Sequence, residues 1–174
     1  MNNFRIGIIG AGNWGTTLSI YMKKEGYNVA LYEFFEEKAE ELREERENKD
    51  YLPGYSIPDD ILITDKPEEL IASSDVIFLI QPSHTVRDVM KLFSPLIEDE
   101  IVASFSKGID PDTLQRVSEI IEEIIPSQKD RVVAVSGPSI AREVIKGVPT
   151  SLVAASHDPD RAEIIQKLIS GSCL

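Results

Sequence analysis

Near the start of the chain, Arg5-Ile-Gly-Ile-Ile9 runs into Gly10-Ala-Gly12-Asn-Trp-Gly15 and then Thr-Thr-Leu18. The pattern G-x-G-x-x-G thus stands between a strand-like apolar run and a helical segment. Each glycine meets a separate need: Gly10 a tight turn, Gly12 close approach of backbone to a dinucleotide's pyrophosphate, and Gly15 close packing of helix on strand. The amides that open the helix then face the anion. A ligand-free turn between strand and helix can carry the same glycines, so the neighbouring segments decide between the two.

Apolar runs of strand length recur at 5–9, 28–32, 61–64, 76–80, 101–105, 132–135 and 151–155. Helical patterns fill several of the gaps. Residues 13–24 place Leu18, Tyr21 and Met22 on one face ahead of Gly26, and residues 67–72, 83–93 and 158–169 follow. Asp110-Pro111 reads as an N-cap and first helical residue, with Leu114, Val117, Ile121 and Ile124 forming a stripe that ends at Pro126. The segment from Asn48 to Gly54, with Pro58 beyond it, reads as irregular. Strands alternating with helices predict an α/β fold: a doubly wound, mostly parallel sheet of Rossmann type with helices on both faces. With no repeat or low-complexity linker, residues 1–174 read as one dinucleotide-binding domain.

Composition narrows the partners. Thirty acidic against 18 basic residues give a net charge of −12, which disfavours nucleic acid as a partner. Nine of those acidic residues lie between Glu33 and Asp50, mixed with four basic ones, as on a solvated helix. No run approaches the roughly 18 apolar residues of a membrane span, so no membrane partner is expected and the cytoplasm is the expected location. Cys173, the single cysteine, reads as a small apolar residue, and no metal site is expected.

Ligands of open α/β sheets bind outside the carboxyl ends of the strands, so the residues that follow each strand are the site candidates. Glu33 ends the second strand 18 residues after Gly15, at the spacing of an acidic group that binds the adenosine ribose hydroxyls. A carboxylate there repels a 2′-phosphate, so NAD is expected, with NADP as the alternative. Arg43 and Arg46 lie too far along the helix to clamp such a phosphate. After the fourth strand, Pro82 fixes a turn that could flank the nicotinamide ribose and Ser83 could cap the next helix. His84 there reads more readily as a surface residue than as a general base. Lys107, in Ser106-Lys-Gly108, is either a solvated lysine or a donor that polarises a substrate carbonyl. Ser136-Gly137-Pro138-Ser139 resembles the opening motif in outline: a strand, a glycine turn, then a helix with Pro138 near its first position and Ser139 in its first turn.

In combination these segments resemble the N-terminal domain of the NAD(P)-dependent glycerol-3-phosphate dehydrogenases. The residues that carry the resemblance are Gly10-Ala-Gly12-Asn-Trp14-Gly15, Asn48-Lys-Asp-Tyr51-Leu52-Pro53, Gln81-Pro82-Ser83-His84, Ser106-Lys107-Gly108, Ser136-Gly137-Pro138-Ser139-Ile-Ala141 and Gly147-Val-Pro149-Thr150. They span essentially the whole chain. The resemblance implies hydride transfer between C2 of sn-glycerol 3-phosphate, a small phosphorylated substrate, and the nicotinamide. It also implies that backbone at Asn13 and Trp14 holds the pyrophosphate and that Lys107 touches cofactor and substrate. Gly137 and Ser139 would line the substrate side, and Ala141 would approach the cofactor. The family continues into a helical C-terminal domain with a second catalytic lysine, absent from this chain, which alone is expected to be catalytically incomplete. Another two-domain dehydrogenase, or a noncatalytic dinucleotide-binding module, are the competing readings. An apolar face that would meet the partner domain makes a homo-oligomer a further expectation.

Overall fold

Residues 4–174 are described by a computed structural model. The strands are β1 (Arg5–Ile9), β2 (Asn28–Tyr32), β3 (Leu62–Thr64), β4 (Val76–Leu79), β5 (Ile101–Ser104), β6 (Val133–Ser136) and β7 (Val153–Ala155). The helices are α1 (Asn13–Lys24), α2 (Glu36–Glu45), α3 (Pro67–Ala72), α4 (Val86–Phe93), α5 (Val117–Ile124), α6 (Ala141–Val144) and α7 (Pro159–Ile169).

Side chains alternate along each strand, and that alternation builds two cores on one sheet. Ile6, Ile8, Val29, Leu31, Val76 and Phe78 face α1, α6 and α7, meeting Leu18, Met22, Val144 and Ile165. Ile9, Ala30, Tyr32, Ile77 and Leu79 face the opposite way, onto Leu70 of α3, Met90 and Phe93 of α4, and Ile121 of α5. Both faces are therefore covered, and the central strands carry apolar residues at nearly every position. The strand order is β3-β2-β1-β4-β5-β6-β7, parallel from β3 through β6, with β7 antiparallel to β6. The fold is thus α/β and doubly wound, as expected. Because β1 feeds α1 on one face and β4 feeds α4 on the other, a crevice opens at the carboxyl ends of β1 and β4, the switch point of such sheets. Among the described residues, no helix is long and apolar enough to cross a membrane.

Three local expectations differ from the structure. The helix predicted from Asp110 begins only at Val117. Asp110 does cap, since its carboxylate accepts from the amides of Asp112 and Thr113, but the turn it caps stops at Leu114, where φ is +59°. Leu114 is 71% exposed and is no part of the apolar stripe. The 109–116 segment closes on itself instead, with Asp110 N–H donating to the Gln115 carbonyl. Residues 83–93 divide into a 3₁₀ turn at Ser83–Thr85 followed by α4, and the Ser83 hydroxyl donates to the Ile109 carbonyl rather than capping the helix. Finally, α6 starts at Ala141, so Pro138 and Ser139 precede it; the Ser139 amide is occupied by the Gly137 carbonyl.

Candidate functional site

The glycine turn has the geometry its spacing predicts. Gly10 sits at φ +115°, and a Cβ there would strike the Ile80 carbonyl oxygen. At Gly15 a Cβ would drive into the Gly10 carbonyl oxygen, so α1 packs directly on the turn. Gly12 is different: no atom lies within 4 Å of the position its Cβ would take. That space is open on the side where an anion can approach. Helix α1 has Gly12 as its N-cap, no side-chain cap and no acidic residue in its first turn. Helix α7, in contrast, is capped by the Asp158 carboxylate on the Asp160 amide. The N-terminal amides of α1 are thus left to a ligand, which fits a dinucleotide's pyrophosphate.

Two clefts flank the turn. The smaller, about 180 Å³, is lined by Ala11, Glu33, Phe35, Lys38, Asn48 and Tyr51 among others. The Glu33 carboxylate accepts from the Phe35 amide at 3.1 Å, which fixes it at the end of β2. The cations expected to be too distant are committed elsewhere: Arg43 binds Asp65 at 2.9 Å and Arg46 donates to the Ile61 carbonyl at 2.9 Å. Lys38, which the spacing did not single out, does line this cleft, but it is paired with Asp50 and Glu41. Its charge is neutralised on the spot.

The larger cleft, about 360 Å³, is lined by Asn13, Trp14, Ile80, Gln81, Pro82, Phe105, Ser106, Lys107, Ser139 and Ala141. Six residues predicted from four separate segments therefore meet in one place. The Lys107 Nζ donates to the Gly137 carbonyl at 2.9 Å and to Ser139 Oγ at 3.2 Å. A lysine ammonium has three donors, and two are engaged among the described residues, which leaves one for a carbonyl oxygen in the cleft. Gly137 permits this arrangement because the chain entering β7 lies against it; a Cβ would strike the Ser151 carbonyl oxygen. His84 is exposed on its 3₁₀ turn and does not line the cleft.

The lysine loop is held from behind. Arg87 of α4 binds Glu123 at 2.8 Å, donates to Gln115 Oε1 and lies 3.8 Å from Asp110. Bonding to Arg87 holds the Glu123 carboxyl below the usual carboxylate range, and the Asp112 and Thr113 amides do the same for Asp110.

A family model described as the NAD-dependent glycerol-3-phosphate dehydrogenase N-terminus matches residues 5–162. The chain belongs to that family. A glycerol-3-phosphate dehydrogenase (NAD(P)+) of Fusobacterium nucleatum is 37% identical over 165 residues, covering 94% of this chain and 49% of that protein. One from Geobacter sulfurreducens is 39% identical over 168 residues, 95% of this chain and 50% of that protein. The crystal structure of glycerol-3-phosphate dehydrogenase from Coxiella burnetii superposes with a TM-score of 0.88 at 26% identity, covering 97% of this chain and 51% of that one. The chain spans about half the length of the curated relatives it matches. Within this glycerol-3-phosphate dehydrogenase fold, one polar residue of the motifs that carry the resemblance makes a contact with the turn that the sequence did not assign. Asn48 lies in the segment read as irregular, yet it is 4% exposed and donates to the Ala11 carbonyl at 2.7 Å. Its signal was an asparagine in a segment that also holds the buried Leu52, and only the folded chain brings it to the turn.

Proposed function

We propose that this chain is the dinucleotide-binding half of an enzyme that interconverts sn-glycerol 3-phosphate and dihydroxyacetone phosphate, with NAD preferred over NADP. The observation that carries this reading is the bonding of Lys107 to Gly137 and Ser139 beside Asn13 and Trp14. The names and lengths of the relatives support it. NAD, when bound, accepts or delivers the hydride. The chain's own residues do the rest of the work in this half: the amides at Asn13 and Trp14 hold the pyrophosphate. Pro82 and Ala141 shape the nicotinamide side, and Glu33 accepts from the ribose hydroxyls while opposing a 2′-phosphate. Lys107 aims its remaining donor at the substrate carbonyl and stabilises the oxyanion that hydride addition creates there. Gly137 and Ser139 line the substrate side.

Fluorescence titration of the 174-residue chain tests this reading. Saturable NADH binding with weaker NADPH binding is expected, without dihydroxyacetone phosphate-dependent NADH oxidation. Failure to bind NADH overturns the reading, and robust oxidation overturns the proposal that half of the catalytic machinery lies elsewhere. The setting we propose is the cytoplasm and glycerophospholipid metabolism. Association of copies through the sheet face around Val153, which is 68% exposed, is a further part of the proposal, and a monomer by light scattering at high concentration would remove it.

A further inference from the structure

The Ala11 carbonyl is held by two buried donors: Asn48 Nδ2 at 2.7 Å and the Thr16 hydroxyl at 3.2 Å. Asn48 Nδ2 also reaches Thr16 Oγ1 at 2.8 Å, and Asn48 Oδ1 accepts from the Tyr51 amide at 3.2 Å. The orientation of the Asn48 amide is determined by these partners, because a carbonyl can only accept and a backbone N–H can only donate. Asn48 and Thr16 are 4% and 0% exposed, so the Ala11 carbonyl points into the protein. In a planar trans peptide the N–H points opposite to the C=O. Fixing the Ala11 carbonyl inward therefore fixes the Gly12 N–H outward, toward the side where the Gly12 Cβ position is open.

We infer that Asn48 is a positioning residue for the dinucleotide turn: by holding the Ala11 carbonyl it aims the Gly12 amide, and the first amides of α1 behind it, at the pyrophosphate. This rests on the dinucleotide reading above. It gives the segment after α2 a task in cofactor binding that needs no contact between Asn48 and the cofactor. Without the latch the Ala11–Gly12 peptide is free to rotate, and the pyrophosphate must then order it on binding.

Asn48→Asp tests this with little change of size. It keeps the acceptor for Tyr51 and sets an oxygen, in place of the donor, against the Ala11 carbonyl. In the full chain, Asn48→Asp is expected to weaken NADH and ADP-ribose by at least about tenfold and adenosine, whose cleft Asn48 lines, by a clearly smaller factor. In the free protein it moves the ¹⁵N–¹H resonance of Gly12. Thr16→Val is expected to weaken NADH by about threefold, and the double variant by less than the product of the two, since both donors serve one carbonyl. Thr16→Val adds no charge beside the pyrophosphate, so it carries the test by the contrast between NADH and adenosine whether or not Asn48→Asp folds. Equal weakening of adenosine overturns the inference, because Asn48 would then merely support the 48–52 segment. NADH affinity within about twofold of the native value overturns it as well. A native chain that binds no NADH overturns both this inference and the proposed function; a native chain that binds, beside an Asn48→Asp chain that binds as well, overturns this inference alone.

Discussion

The two sides of the proposed site solve one problem with different chemistry. On the β1–α1 side, a backbone turn is held by Asn48, a neutral and buried amide. On the β5 side, the loop after Lys107 is held by Arg87, a part-exposed guanidinium working through Glu123, Gln115 and Asp110. The first latch keeps full strength in salt and acid because nothing in it is charged. The second depends on ions at the surface, where pairing is weak and screened. Under the proposed function, this gives a rigid turn for the pyrophosphate and a more yielding loop beside the substrate carbonyl.

The largest effects are expected from the glycines of the first side, where two neighbours should separate folding from binding. Gly15→Ala gains roughly 1 kcal/mol of helix propensity but forces a methyl into the Gly10 carbonyl, so a net loss of about 1–3 kcal/mol is expected by thermal unfolding. Gly12→Ala meets no atom and adopts an ordinary φ of −75°, so stability should fall by less than about 1 kcal/mol. NADH affinity should nonetheless drop by about tenfold or more. If both variants lost stability and affinity in parallel, the separate roles of the two glycines would be wrong.

How far these features were legible follows from where their causes lie. The bounds of β1, α1 and β2 could be read because glycine spacing, the helical stripe and strand alternation are local properties. Lys107, Gly137 and Ser139 could be placed at one edge by topology, although their hydrogen bonds could not be foreseen. The 109–116 loop misled because Asp110-Pro111 is a valid start signal, and nothing local shows that Leu114 will leave the helical region after one turn. Asn48 stands in one of the motifs that carry the resemblance, but its contact with the turn was not legible for the converse reason. Its partners Ala11 and Thr16 lie 37 and 32 residues away, and no periodicity reports such a contact.

Smaller effects would sharpen the contrast between the two latches. Arg87→Ala should speed amide exchange through Leu114–Arg116 by about tenfold and leave residues 10–15 unchanged, since local opening follows local bonding. Acid should act in the same direction. Glu123 and Asp110 have folded-state pKa values depressed below the ordinary value of about 4. Their stabilisation is therefore present above that value and is lost as pH falls through the lower, folded one. Protection factors in 109–116, taken relative to the intrinsic exchange rate at each pH, should fall below about pH 4 while the Asn48-held turn stays protected; simultaneous loss at both would erase the distinction. Glu33→Gln should narrow the preference for NADH over NADPH by about threefold to tenfold, and unchanged relative affinities would remove Glu33 from the selectivity argument. Leu114→Gly is expected to have the smallest effect, a gain of up to about 1 kcal/mol as left-handed strain is relieved against a greater loss of backbone entropy.

The bare start of α1 has a practical consequence. A helix terminus with no side chain over its amides does not discriminate among small oxyanions, so sulfate or inorganic phosphate in a buffer will compete with the nucleotide for the same donors. Titrations in phosphate will return weaker NADH binding than titrations in chloride at equal ionic strength. The choice of buffer thus becomes a variable in every affinity measured on this protein.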